Sequence, residues 1–473
     1  MKSTKITPQI QRALADIQKQ YPVVQAIFDE ISAHGGRVFY VGGMVRDLIL
    51  GVPIKDIDIE VHGMPLEELE ALLKRFGEVN LVGKSFGVLR YSGLDIDWAV
   101  PRSDSGGRKP EVTLDHTMSI TDAFSRRDLT MNAMGIDVKT GDLLDPFGGQ
   151  EDIEAKRLRA PNTEFFKEDP LRFFRVMQFV SRFEMEPTPE LNEICKSMDL
   201  SNVSRERIET EFAKMLLKSK RPSLGIRWLK EIGALETLLP ELAATIGTVQ
   251  GADHHPEGDV FEHTMQALDA AAQLKYENDH IKLIVLYAAL CHDLGKPLTT
   301  QVAPDGTVTS IGHAEQGYQL TRSMLKRITH NKELIDSVSK MVKYHMSPLQ
   351  FIDNEAGVAA YKRLANKLAP HASLALLADL SLADKRGRNS EGPEPLKTDF
   401  SDIALFRKKA EEAHVLEAVE KPILQGKDIA DLVEPGPKMG ELLRRAYELQ
   451  IDEGISDPEA LRRRLVEIMH DNS

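Results

Sequence analysis

The stretch Phe39–Glu60 constrains this chain more than any other. It opens as a short apolar run, breaks at Gly42-Gly43, continues as amphipathic helix through Arg46 and Leu50, and closes in a second apolar run carrying Asp56 and Asp58. A glycine turn feeding a helix start lets backbone N–H groups approach a bulky anion, with the positive end of the helix dipole behind them. Arg46, one turn into that helix, offers a planar donor fork suited to phosphate. Residues two apart on a strand leave the same face, so Asp56 and Asp58 are expected to project together. Paired carboxylates opposite a phosphate cradle make a place for hard, oxygen-seeking Mg²⁺. Gly-Gly alone is usually a turn, and Asp-x-Asp alone a solvated strand end. Their succession within about a dozen residues carries the information.

In that order the residues resemble the nucleotide-binding motif of the DNA polymerase β superfamily, in the form found in class II tRNA nucleotidyltransferases (CCA-adding enzymes) and bacterial poly(A) polymerases. The resemblance implies a mixed-sheet α/β head, two-metal nucleotidyl transfer, CTP and ATP as substrates and tRNA as the acceptor.

Composition narrows the setting. The 473 residues suffice for roughly two to four domains with real cores. Only Cys195 and Cys291 are present, so no disulfide framework is expected and a reducing compartment is the default. The N-terminus lacks a signal-peptide core, and the longest apolar run, Leu283–Cys291, is too short to span a bilayer; a cytoplasmic protein without membrane contact is expected. The net charge of −13 is unusual for a nucleic-acid binder. Screening confines a charge's field to about 8–10 Å, so local basic strips at Arg205–Arg207 and Lys214–Arg221 remain usable.

Along the chain, apolar positions Ile10, Leu14, Ile17, Val24 and Ile27 predict two helices in residues 1–36. From 37 to 150 short strands and helices alternate: helix Leu66–Phe76, a hairpin of Val79–Val82 with Gly87–Tyr91, then a strand whose Asp97 could join Asp56 and Asp58 as a third carboxylate. Residues 102–116 are glycine-rich and charged and predict a mobile loop. In Arg126–Met134, Asp128 and Asn132 would share one face of a helix, as a bidentate grip on a ribose requires, with Arg127 free to turn toward phosphates. This string resembles the family's R-R-D-F-T-x-N-A motif, with Leu129 in place of Phe, in which the Asp and Asn distinguish ribose from deoxyribose.

Beyond Gly149 the texture becomes helical: a neck (151–249), a further domain (250–390) and a tail (391–473), after N-terminal helices (1–36) and the head (37–150). In Glu168–Arg175, Pro170 marks a helix start, and Asp169 and Arg172 stand i and i+3. That string resembles the family's E-D-x-x-R motif, which implies that Asp169 and Arg172 read the incoming base; Arg175 is counted with the nucleotide-binding set. Arg207 and Glu211 are read as structural support. Pro435–Gly440 resembles the family's tail signature, where helices contact the tRNA elbow.

A second constellation follows: His263, His292-Asp293, His313, His345 and Asp384. Imidazoles with carboxylates suit divalent transition metals and hydroxide generation for phosphoester cleavage. An unpaired aspartate beside a histidine at the end of an apolar helix is hard to explain as core. The order resembles the HD-domain metal phosphohydrolases, implying a complete ion site of unspecified metal; His254 and His255 fall outside that set. Competing readings are a poly(A) polymerase, an enzyme adding only CC or only A, an HD phosphodiesterase with a vestigial head, and a non-catalytic RNA scaffold. The intact acidic and base-reading pairs oppose the vestigial head, and the absence of a long basic tract or aromatic platform opposes the scaffold.

Overall fold

The structure is a computed structural model that describes residues 3–54, 56–82, 87–92, 96–104 and 112–471. It resolves into two compact units. One comprises the chain through Met215 together with Glu231–Gly233, and the other comprises Leu216–Lys230 and the chain from Ala234 onward. The stretch predicted as a neck, 151–249, contributes to both.

In the first unit a short strand β1 (Ser3–Lys5) precedes the predicted helices α1 (Pro8–Gln20) and α2 (Pro22–Ala33). Thr7 caps α1 through its hydroxyl, which accepts from the Ile10 amide at 3.3 Å, and proline begins each helix. β1 was not legible in the sequence, because three residues are too few for an alternation to register. Then follow β2 (Arg37–Val41), α3 (Gly43–Leu50), β3 (Ile57–His62), α4 (Leu66–Lys74), β4 (Val79–Val82), β5 (Val88–Tyr91) and β6 (Ile96–Ala99). α4 stops short of the predicted Phe76 because the Arg75 and Phe76 amides turn back to the Leu72 and Leu73 carbonyls, tightening its last turn.

β7 (Arg102–Asp104) and β8 (Val112–Leu114) form a separate two-stranded ladder. The glycine-rich stretch between them, 105–111, on which the mobile-loop expectation rests, lies outside the described residues. After α5 (Ile120–Ser125) come β9 (Gly135–Asp137) and β10 (Asp142–Leu144). Eight strands make one sheet in the order β1-β10-β9-β2-β3-β6-β5-β4. Its pairings are antiparallel except β3 with β6, which the crossover through α4 and the β4–β5 hairpin makes parallel. That exception sets Asp97 directly beside Asp58. Trp98 and Tyr40 are fully buried and both pack on Phe28 of α2, which anchors the sheet beneath the acidic pair.

The second unit is helical. Helix Asp279–Cys291 is buried from Ile284 on, which explains its unbroken apolar run. Helices Val260–Ala272, Lys332–Tyr344 and Leu374–Arg386 pack with it, and His313–Ile328 packs on Lys332–Tyr344. Residues 389–400 are irregular, as the Pro/Gly-rich sequence predicts. The tail helices Pro437–Glu453 and Pro458–Asp471 share an apolar cluster built on Leu449, Leu461 and Leu465. Among the described residues no helix is long and apolar enough to cross a membrane.

Candidate functional site

In the first unit a cavity of about 560 Å³ is lined by Gly42, Gly43, Arg46, Asp58, Asp97, Arg127, Asp128, Asn132, Asp169, Arg172 and Arg175. The turn before α3 creates its floor. Gly42 has φ 68° and ψ −132°, a conformation that only glycine adopts readily. A Cβ placed there would stand 2.6 Å from Arg127 Nη1 and 3.7 Å from Asp58 Oδ2, so the turn, the arginine and the carboxylate crowd one point.

Burial raises the pKa of Asp58. Arg127 and Arg46 pull it down, while Asp97 and Asp56 push it up. A carboxylate under that pressure, with oxygen donors beside it, fits a hard divalent cation. Asp97 lies opposite Asp58 across the parallel ladder but also accepts from Arg90 Nε and Nη2 at 2.7 and 2.8 Å. Asp56 departs from expectation. It precedes β3, which begins at Ile57, and it is exposed and outside the cavity lining, reaching the site through its charge.

Asp128 and Asn132 do meet, but not on a helix. Asp128 sits in a bend and Asn132 ends a 3₁₀ turn, Thr130–Asn132. The α5 helix has already ended at Ser125, and the Asn132 amide closes on Leu129 instead of Asp128. Asn132 Nδ2 donates to Asp128 Oδ1 at 2.9 Å, Arg175 Nε donates to Asp128 Oδ2 at 2.6 Å, and Arg46 Nη1 donates to Asn132 Oδ1 at 2.7 Å. Despite its burial, Arg175 and the Asn132 amide hold the Asp128 carboxyl down to about 2. Arg46 is therefore an organiser of this chain. Its Nε also reaches Asp47 at 2.8 Å and its guanidinium lies 4.8 Å from the Phe183 ring.

Asp169 and Arg172 line the cavity, joined by the Arg172 amide donating to the Asp169 carbonyl at 2.9 Å, while their side chains take other partners. Arg172 donates to the carbonyls of Phe165 and Arg126, both at 2.5 Å. Asp169 takes Arg207 Nη2 at 3.1 and 3.0 Å on its two oxygens. Sequence reasoning treated Arg207 as a brace and missed this contact with a base-reading candidate. It also missed Glu60, which shares Asp58's face of β3 and holds Arg127 Nη2 at 3.0 Å and His62 Nε2 at 3.0 Å. The Asp-x-Asp-x-Glu spacing was the available signal.

The second unit brings its histidines and aspartates together. His292 caps its helix, Asp293 follows, His313 begins one helix, His345 caps another, and His263 and Asp384 come from two more. Gly295 makes the approach possible: a Cβ there would meet the His313 carbonyl oxygen at 2.0 Å. His292, His313 and His345 each place Nδ1 on a backbone carbonyl, of Ala289, Ser310 and Val342, at 2.8, 2.7 and 2.6 Å. That contact makes Nδ1 the protonated nitrogen and turns the Nε2 lone pair inward.

Nε2 atoms then face one another at 3.2 Å (His263–His292) and 3.1 Å (His313–His345). Asp293 lies between them. Its Oδ2 is 2.7 Å from the Lys296 ammonium and 3.2 Å from His292 Nε2, and its Oδ1 is 3.5 Å from His313 Nε2. Opposed lone pairs around a buried carboxylate whose Oδ1 has no hydrogen-bond partner are what a cation would relieve. The donors fall into two groups, His263/His292/Asp384 and Asp293/His313/His345. A cavity of about 920 Å³ opens on Asp293, His313, His345 and Asp384 and is also lined by His255, which the sequence left outside the ion set, and by Lys296 and Arg388, which it did not single out.

Fold and geometry define a class: a polymerase-β-type nucleotidyltransferase head with a helical, metal-dependent phosphohydrolase-type second site. Residues 38–159 match the poly(A) polymerase head domain, 185–246 the probable RNA- and SrmB-binding site of polymerase A, and 260–388 the HD domain. A multifunctional CCA protein of Chromobacterium violaceum is 35% identical over 368 residues, 74% of this chain and 84% of that protein. One from Burkholderia pseudomallei is 34% identical over 375 residues, 74% of this chain and 85% of its own. The crystal structure of the Bacillus stearothermophilus CCA-adding enzyme in complex with CTP shares the fold, with a TM-score of 0.66 at 20% identity over 99% of this chain and 100% of that one. The chain belongs to the multifunctional CCA protein family.

Proposed function

We propose that this protein completes tRNA 3′ ends by adding C, C and A from CTP and ATP in the first unit, and cleaves phosphoesters in the second. The observation that carries the transferase reading is the parallel pairing of Asp58 with Asp97 beside the Gly42–Gly43 turn and Arg127. Asp58 and Asp97, with Asp56 at the mouth of the strand, would hold Mg²⁺. When bound, that ion lowers the pKa of the attacking 3′-hydroxyl and neutralises the triphosphate. Gly42 and Gly43 leave room for phosphate oxygens against backbone N–H groups, and Arg127, braced by Glu60, supplies donors to them.

Asp128 and Asn132 would take the ribose hydroxyls through the lone pair and the N–H that their mutual contact leaves free. Asp169 and Arg172 would read the base, their orientations set by Arg207 and by the carbonyls of Phe165 and Arg126, while Arg175 keeps Asp128 ionised. In the second unit, His263, His292 and Asp384 on one side and Asp293, His313 and His345 on the other would hold divalent ions, with Lys296 and Arg388 as cationic neighbours of the cavity. Such ions would supply a hydroxide at neutral pH.

The test uses tRNA transcripts ending before, after one or after two cytidines, with labelled CTP or ATP. Full CCA addition requires CMP on the first two and AMP only on the last. ATP incorporated without limit would instead make the protein a poly(A) polymerase. Asp58→Ala should abolish CMP incorporation and leave metal-dependent phosphatase activity intact; a variant extending tRNA at the wild-type rate removes Asp58 from the reaction.

A further inference from the structure

The imidazoles of the second site are not held alike. His292, His313 and His345 rest their Nδ1 atoms on neutral backbone carbonyls. His263 Nδ1 hydrogen-bonds the Gly387 carbonyl at 3.2 Å, and it alone of these also lies against a carboxylate, Glu257 Oε1, at 2.7 Å. The Glu257 side chain is 0% exposed, and the same oxygen is 2.9 Å from Nδ1 of His255, whose ring stands edge-on to His263 at 4.7 Å. His255 lines the cavity, and with Nδ1 engaged, Nε2 is its remaining nitrogen. Burying a carboxylate costs several kcal/mol unless its partners compensate, so a fold that hides one here and gives it two imidazoles is using it.

We propose that Glu257 is a positioning residue of the ion centre. It fixes His263 as the Nδ1–H tautomer, keeps the Nε2 lone pair on the side of His292 and Asp384, and makes His263 a stronger donor than its carbonyl-held neighbours. Nε2 is already 3.2 Å from both His292 Nε2 and Asp384 Oδ1, so the lone pair that Glu257 frees points where an ion would sit. The same carboxylate oxygen ties that ligand to a ring at the cavity wall, so the ion centre and the substrate face are braced by one group. His255, Glu257 and His263 also lie close enough to hold an ion themselves. That arrangement would need His263 to give up both ring protons and bridge two cations, which costs more than donating one hydrogen bond to Glu257. The inference rests on the second site being an ion centre, and its test separates the two.

In an Asp56→Ala/Asp58→Ala/Asp97→Ala background, where the three head carboxylates are gone, Mn²⁺ is titrated calorimetrically and bound metal is counted by elemental analysis for the Glu257-intact, Glu257→Gln and Glu257→Ala proteins. The ion count should stay unchanged. Affinity should fall about 10- to 100-fold in Glu257→Ala, and less in Glu257→Gln, whose amide oxygen still accepts from Nδ1. If alanine prevents folding, the isosteric glutamine carries the comparison through its weakened Kd. Wild-type affinity in the folded variants overturns the role of Glu257, and loss of one ion from the count makes it a ligand instead. A Glu257-intact protein that takes up no Mn²⁺ removes the ion centre itself, and the proposal with it.

Discussion

Gly42 and Gly43 are adjacent and look interchangeable in the sequence, yet the structure assigns them different costs. Gly42 has φ 68° and ψ −132°, where an L-residue is strained by about 1–3 kcal/mol. An alanine Cβ there would also stand 2.6 Å from Arg127 Nη1. Arg127 can yield only by loosening its 3.0 Å bond to Glu60, a charge-assisted hydrogen bond of the kind worth about 1.5–3 kcal/mol, less here because the arginine is part-exposed. Together these effects put Gly42→Ala at about 3 kcal/mol. At about 2–4 °C per kcal/mol, the melting transition of the first unit should drop by about 6–12 °C.

With Arg127 displaced from the turn, CMP incorporation should fall by about 10²-fold, the usual consequence of moving a positioning group by about 1 Å. At Gly43 a Cβ would meet only the tip of Arg46, at 3.4 Å, and the residue lies in the first turn of a helix, where alanine is well tolerated. Gly43→Ala should therefore melt within a few degrees of the wild type, and any loss of CMP incorporation isolates the need for close phosphate approach. Differential scanning calorimetry and primer-extension rates measure both. A Gly42→Ala protein with unchanged melting and unchanged rate would refute the reasoning, because neither the strain nor the crowding at Arg127 would then exist.

Asp269 is fully buried, accepts from the Ser223 amide and hydroxyl at 2.9 and 2.7 Å, and is pushed up to about 6 by that burial. Its folded pKa lies above its unfolded one, so ionising it costs the folded state more, and it subtracts stability as pH rises from about 4 to about 6. Asp269→Asn should therefore gain roughly 3 kcal/mol on the wild type between about pH 4 and about pH 7 in urea titrations; a constant difference would show that the carboxylate is comfortably ionised. Asp128 is the opposite case, held down to about 2, so its ionised form contributes stability above about pH 4 that is lost as pH falls toward 2. Asp128→Asn should destabilise the first unit at neutral pH and flatten its acid limb, as chemical denaturation across that range will show. Arg207→Ala frees Asp169 from its bidentate partner, so it should raise the KM for CTP and ATP more than it lowers kcat with either; an unchanged KM would leave Arg207 a remote brace.

Residues close in sequence were legible where one element carries them, and less so where a backbone irregularity does. The Gly-Gly turn feeding a helix and the buried run of Ile284–Cys291 follow from local chemistry and took the predicted forms. Asp128 and Asn132 were paired for a reason that does not hold. A helix would have put them on one face, but a bend and a 3₁₀ turn bring them together, because the side-chain contact and the Arg175 and Arg46 bonds fix the pair whatever the backbone does. Asp56 is the converse case. Its spacing was right for a strand, but β3 begins one residue later, at Ile57.

Residues distant in sequence needed topology. Asp97 reaches Asp58 only because one pairing in the sheet is parallel, and nothing local to Leu94–Val100 specifies that. In the second site, His263 and His292 are 29 residues apart and His313 and His345 are 32 apart, each on its own helix, so no spacing rule joins them. Family resemblance could name those ligands, but it could not reveal how they are aimed. That is set by Ala289, Ser310 and Val342, which contribute only their carbonyls, and such a contribution leaves no trace in side-chain identity. Glu257 marks the limit of this concealment. Where the fold needs a charge as well as a carbonyl behind an imidazole, it has to use a side chain, and the requirement then becomes visible in the sequence as a glutamate two residues from one histidine and six from another.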